Sequence, residues 1–232
     1  MKSNIWYFHR INGKGYKGGS FKGMDLSIGQ QSAHAGILIR SVQKVEDEED
    51  NTCGPCKTVE LILSKNNQND ISSFVEKFGI EIFEGENAGL YLKKEALPKL
   101  QVYCGPRVGL SLKREHVNPE LFIMRNYRFV VNPKNVSKHK NLLAVSLHAM
   151  KGMNAAEISK LINSNKSSVS NWISLVEEGK KKKTSDFKGK QISPKLACEL
   201  YGCCLKYTYL KDKLVETEAR VEVEEQVGES DE

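Results

Sequence analysis

The chain has 232 residues, enough for one large domain or two smaller ones with a buried core. No apolar run approaches the roughly 20 residues that cross a bilayer, and Met1-Lys2-Ser3-Asn4 leads into an aromatic run with no signal-peptide apolar region. A soluble, intracellular protein with no membrane partner is therefore expected. The net charge of +6 is uneven: residues 131–190 hold twelve lysines against four acidic residues, whereas 214–232 hold eight acidic residues against Arg220 alone. A basic segment followed by an acidic tail is common in nucleic-acid binders, whose affinity grows from phosphate neutralisation and counterion release.

In chain order, short strand-like runs come first, separated by Gly and Asn turns. They are Ile5 to Phe8, Gly36 to Val42, Ile80 to Phe83, Gly89 to Leu92, Gln101 to Tyr103, Val108 to Leu112 and Tyr127 to Val131. A helix is predicted over Cys56 to Leu63, because Pro55 suits a first helical turn, and another over Asp70 to Phe78, with Gly79 as its stop. This mixture predicts an α+β domain over residues 1–136, built on a mainly antiparallel sheet. Residues 137–183 read as all-helical, 184–193 as a polar linker, 194–215 as a last helix opened by Pro194, and 216–232 as an acidic disordered tail.

The cysteines are Cys53, Cys56, Cys104, Cys198, Cys203 and Cys204, at irregular spacings in a chain with no sign of secretion. Cys53-Gly54-Pro55-Cys56 has the C-x-x-C spacing of a redox dithiol or a zinc half-site. A second pair and a histidine at ligand spacing are both missing. Reduced structural thiols are expected, with no metal and no cofactor.

The helical segment carries the most specific pattern. A first helix over Lys140 to Lys151 would bury most of Leu142, Leu143, Val145, Leu147 and Met150, and Gly152 breaks it. Asn154 caps a second helix, Glu157 closes a capping box, and Ala155, Ile158, Leu161 and Ile162 form one stripe. After Asn163-Ser164-Asn165 a third helix starts near Lys166 or Ser167, with Val169, Trp172, Ile173 and Val176 inward. Its outer side would carry Lys166, Ser167, Ser168, Ser170, Asn171 and Ser174, residue types that bond phosphates or base edges. Lys180, Lys181, Lys182 and Lys183 would extend the basic face; the same run also reads as a nuclear localisation signal. Residues Met153 to Ile173 resemble the helix-turn-helix of transposases, resolvases and homeodomain-like regulators, which implies major-groove binding by the third helix. The alternative is a plain helical bundle serving as a protein-interaction adaptor.

The first third interleaves Trp6, Tyr7, Phe8, Tyr16 and Phe21 with Lys14, Lys17 and Lys22, a composition suited to stacked bases and phosphates and equally to a glycine-rich hairpin. Gly13-Lys14-Gly15 lacks the spacing of a P-loop. Several strings follow in order: Met24-Asp25-Leu26-Ser27, Gly36 to Val42, Gly54-Pro55-Cys56-Lys57, Pro106 to Leu110, and Phe122 to Val131. Together they resemble the alkyladenine (3-methyladenine) DNA glycosylase family, over roughly residues 5–131.

That resemblance implies a compact mixed α/β domain that flips a damaged base into a pocket, and a role in DNA repair. It would put Asp25 at a base-selecting pocket position, Arg40 beside the pocket, Lys57 at a phosphate-meeting helix start, and Tyr16 near a wedge position. The family's general-base Glu strand has no counterpart, since no carboxylate precedes Asp25. Asp25, with His9 or His34, is the remaining acid–base candidate. The resulting expectation is a non-enzymatic DNA-binding protein combining a helix-turn-helix with a degenerate glycosylase-like domain. An active glycosylase with a displaced carboxylate is the alternative. The acidic tail would moderate nonspecific binding or recruit a basic protein partner.

Overall fold

A computed structural model describes residues 4–30, 33–45, 51–94, 100–112 and 122–206. The protein is α+β, with small antiparallel sheets and six α-helices among the described residues. None of those helices is long and apolar enough to cross a membrane. The chain divides into two units, Met1–Pro98 and Lys99–Glu232. The predicted acidic tail, and the predicted extension of the last helix to 215, lie outside the described residues.

In the first unit, strands β1 (Ile5–Phe8), β2 (Met24–Gln30) and β3 (Ala33–Leu38) form an antiparallel sheet with β2 in the middle. β1 buries Ile5, Trp6 and Phe8, and the Trp6 indole N–H donates to the Leu90 carbonyl at 2.9 Å. Trp6, Phe8 and Met24 pack with Val59, Ile62 and Leu63 of helix α1 (Pro55–Lys65) and with Ile71 and Phe74 of helix α2 (Ile71–Phe78). Pro55 occupies the first turn of α1, and the Asp70 carboxylate accepts the Ser73 N–H at 2.8 Å to start α2. Strands β4 (Ser41–Gln43) and β5 (Asn51–Cys53) form a separate ribbon leading into α1.

Several predicted strands differ from what is found. The run Gly36 to Val42 is split between β3 and β4. Ile80 to Phe83 makes only an isolated antiparallel bridge, Ile5 to Glu81, with the Trp6 N–H donating to the Ile80 carbonyl at 2.8 Å. Gly89 to Leu92 is no strand: the Trp6 indole takes the Leu90 carbonyl, and the Leu92 N–H closes back on Ile82 at 2.7 Å. Val108 to Leu112 is interrupted where Gly109 takes φ 84°, incompatible with an extended run.

In the second unit, β6 (Tyr103–Gly105) pairs with β7 (Arg128–Val130), each within two residues of its predicted run. Gly105 packs against Leu143 of helix α3 (Lys140–Lys151). That contact groups residues 99–136 with the helices, so the division at 98/99 differs from the boundary expected near 136.

Helix α3 ends at Gly152 in the left-handed conformation, and every residue from Asn141 to Leu147 is buried. Helix α4 (Ala155–Leu161) opens on the predicted capping box: the Asn154 side chain accepts the Ala156 and Glu157 N–H groups, and Glu157 accepts the Asn154 N–H at 2.8 Å. Asn154→Ala is expected to lower the stability of this unit by about 1 kcal/mol. The midpoint of chemical denaturation measures it, and an unmoved midpoint would show that α4 does not rely on the cap.

Helix α5 (Lys166–Gly179) follows the four residues 162–165, and the Asn165 side chain accepts the Ser167 N–H at 2.9 Å. Leu143, Ala144, Leu147, Ile158, Ile162 and Val169 form the apolar cluster shared by α3, α4 and α5. Helix α6 (Pro194–Cys204), capped by Ser193, is buried continuously from Ala197 to Cys204. α5 and α6 meet backbone to backbone: a Cβ at Gly179 would lie 1.9 Å from the Glu199 carbonyl oxygen, and one at Gly202 would lie 2.0 Å from that of Val176. The expected polar linker over 184–193 is instead partly structured. Thr184–Phe187 forms a 3-10 turn, and Phe187 is buried beside Leu175, Leu200 and Tyr201.

Candidate functional site

Helix α5 gathers the predicted site residues of the second unit. Lys166, Ser167, Ser170, Asn171 and Ser174 are exposed, and their spacing puts them on one side of the helix. Ser168 is half-buried, while Val169 and Val176 are fully buried on the opposite side. Trp172 and Ile173, predicted inward, are half-buried. The turn that aims α5 is held by a residue that spacing alone did not reveal. The Lys140 ammonium donates to the carbonyls of Ile162 at 2.7 Å and Asn163 at 2.9 Å, where α4 ends. A cation at a helix C-terminus meets carbonyls that no later turn satisfies and the negative end of the dipole.

The four consecutive lysines are not equivalent. They follow a 14-residue helix and so stand roughly 20 Å from its first turn. Lys180 pairs with Glu177 at 2.6 Å on the surface. Lys182 reaches back to Glu199 of α6 at 2.6 Å, and that side chain is only 3% exposed. Lys181 and Lys183 are exposed. The basic run thus divides into a structural lysine and solvent-facing ones, a division set by a partner 17 residues further along the chain.

In the first unit the candidates scatter. Asp25 lies on β2 opposite Tyr7 and Leu38, and its carboxylate meets the His9 ring at 3.1 Å, with the two side chains 23% and 27% exposed. Gly23 leaves room for that imidazole: a Cβ there would lie 2.6 Å from the ring. Register brings Asp25 and His9 together, which their separation in sequence did not indicate. An Asp–His pair can orient an imidazole for proton transfer. His34 sits on β3 opposite Gly29.

Arg40 is exposed on the link between β3 and β4, where its carbonyl accepts the Gly54 N–H at 2.7 Å. Lys57 is exposed in the first turn of α1. Tyr16 is half-buried, edge-on to Phe8, with Arg10 stacked 4.5 Å from its ring centroid and bonded to its hydroxyl at 2.9 Å. The ring is therefore packed into the hairpin, while Lys14 is exposed and Lys17 half-buried nearby. A cleft of about 510 Å³, lined by Lys22, Glu60, Leu63, Ser64, Asn67, Gln68 and Asn69, includes neither Asp25 nor Arg40.

Among the described residues, no three of His, Cys, Asp and Glu cluster as metal ligands would. The cysteine thiols are not joined in disulfides. Burial pushes the Cys198 thiol up to about 11 and the Tyr201 phenol up to about 12, so both remain protonated at neutral pH inside the helical unit.

"Uncharacterized protein L759" of Acanthamoeba polyphaga mimivirus is 32% identical to this chain over 159 residues, which cover 62% of this chain and 69% of the viral protein. No family model matches the chain, and no solved structure matches it.

Proposed function

Since the chain belongs to the family of mimivirus protein L759, whose name assigns no activity, we propose from the geometry of its helical unit that it is a DNA-binding protein. In this reading α3, α4 and α5 form a helix-turn-helix unit, with α4 bracing across the backbone and the first turns of α5 entering the major groove. The observation that carries it is the exposed row Lys166, Ser167, Ser170, Asn171 and Ser174 on α5, opposite a buried stripe and beyond a short, firmly capped turn. Lys166, Lys181 and Lys183 would meet phosphates, and Asn171 would bond a base edge, as asparagine does bidentately with adenine. The first unit, read as a degenerate glycosylase-like domain, would add a second contact through Lys14, Lys17, Arg40 and Lys57. A nuclear location and a role in DNA repair belong to the same proposal.

A salt titration of duplex binding tests it. Affinity is expected to fall steeply with salt, and the combined Lys166→Ala, Lys181→Ala, Lys183→Ala variant should flatten the log–log slope by roughly 2 to 3. Absence of duplex binding at low salt would overturn the reading and favour a protein-interaction adaptor. Binding that survives the triple variant with its slope unchanged would move the interface away from α5.

A further inference from the structure

Two thiols stand at the point where β5 becomes α1. Cys53 is the last residue of β5, paired with Ser41, and Cys56 lies in the first turn of α1. Between them the chain bends at Gly54, with φ 122°, and Pro55 opens the helix. Both cysteines are partly exposed, whereas Cys198, Cys203 and Cys204 are buried in α6. The two are separated by Gly54 and Pro55, the C-x-x-C spacing of redox dithiols that close a small disulfide ring.

Each thiol also has a distinct setting. The Cys53 thiol donates to the Asn51 side-chain oxygen at 3.3 Å. The Cys56 thiol donates to the Gly19 carbonyl at 3.1 Å and to the Glu60 carboxylate at 3.4 Å. Glu60 is itself paired with Lys22 at 3.0 Å. Burial first, and the Glu60 carboxylate second, push the Cys56 thiol up, while Lys22 beside Glu60 holds that carboxyl below its usual range. The second cysteine thus keeps its proton in the resting protein.

We propose that Cys53 and Cys56 form a reversible dithiol–disulfide couple whose substrate is a disulfide such as oxidised glutathione. The Cys53 thiolate attacks one sulfur of the substrate, forms a mixed disulfide and expels the first thiolate, which takes up the proton Cys53 has lost. Cys56 then loses its proton to water and attacks the Cys53 sulfur, expelling the second thiolate, which takes a proton from water. Two electrons pass from the protein thiols to the substrate disulfide, yielding two substrate thiols and one Cys53–Cys56 bond. Oxidation also removes the hydrogen bond from Cys56 to Gly19, which ties α1 to the turn bearing Phe21, itself 76% exposed.

Reduced full-length protein, equilibrated in glutathione redox buffers, alkylated and mapped by peptide mass, provides the test. An internal Cys53–Cys56 disulfide is expected, formed before any modification of Cys198, Cys203 or Cys204. Cys56→Ser should trap glutathione on Cys53. Cys53→Ser should leave Cys56 reacting roughly tenfold or more slowly than Cys53 does in Cys56→Ser. Stable glutathione adducts on both cysteines of the unaltered protein, with no internal bond, would overturn the proposal. So would stoichiometric zinc that a chelator must strip before either thiol reacts.

Discussion

Gly202→Ala is expected to lower the stability of the helical unit by about 3 kcal/mol, near the upper end for an overpacked contact. The added carbon would lie 2.0 Å from the Val176 carbonyl oxygen, and the obstacle is backbone, so no side chain can rotate aside. Relief requires α5 and α6 to separate, which loosens Leu175, Val176, Leu200 and Tyr201 together. Gly179→Ala should act alike, since its contact with the Glu199 carbonyl is reciprocal. Urea unfolding followed through Trp172, which packs against the same cluster, reports the change. A loss below about 1 kcal/mol would show that the two helices can part without disturbing the core.

Lys182→Met should cost about 2–3 kcal/mol, while its neighbours Lys181 and Lys183 tolerate the same change. The reason is the carboxylate it serves: Glu199 is 3% exposed at its side chain, its 2.6 Å partner is Lys182, and Lys195 stands off at 4.0 Å. Removing one member of a buried pair strands the other charge, which is far more destabilising than losing a surface pair. Because Lys182 is itself 38% exposed, the cost falls below that of a fully buried pair. Adding Glu199→Gln should recover much of the loss, since the stranded charge then disappears. A thermodynamic cycle on the two positions measures the coupling, and additive effects would refute it.

The helical half was largely legible in the sequence because its signals are local. The span of α3, the Asn154–Glu157 box and the start of α5 all follow from caps and spacing within one or two turns. Its long-range ties were not legible. Lys140 and Lys182 look like surface lysines, and only the fold brings Ile162 and Glu199 within their reach. Gly179 and Gly202 likewise read as weak points in helices, whereas they are what lets α5 and α6 touch.

The first half was less legible. β2 is absent from the expected strands although Met24, Leu26 and Ile28 alternate with Asp25, Ser27 and Gly29, the period-two pattern of a strand; its burial breaks that alternation, since Ser27 is buried and Asp25 meets His9. β1 was clear because three consecutive aromatic residues after Ile5 are hard to place elsewhere. Strand pairing also decides which acid–base candidates meet, and separation along the chain is a poor guide to register.

Helix α6 bears on how far the exposed row of α5 could be transplanted. From Ala197 to Cys204 it turns no face to solvent, so it serves as the central pillar against which α3 and α5 are set. A segment cut after Lys183 would retain every residue of the exposed row on α5 but lose the pillar, leaving Leu142, Val145, Leu175 and Val176 facing water. The row of Lys166, Ser167, Ser170 and Asn171 is therefore not a portable cassette. Its orientation is a property inherited from chain that lies beyond it.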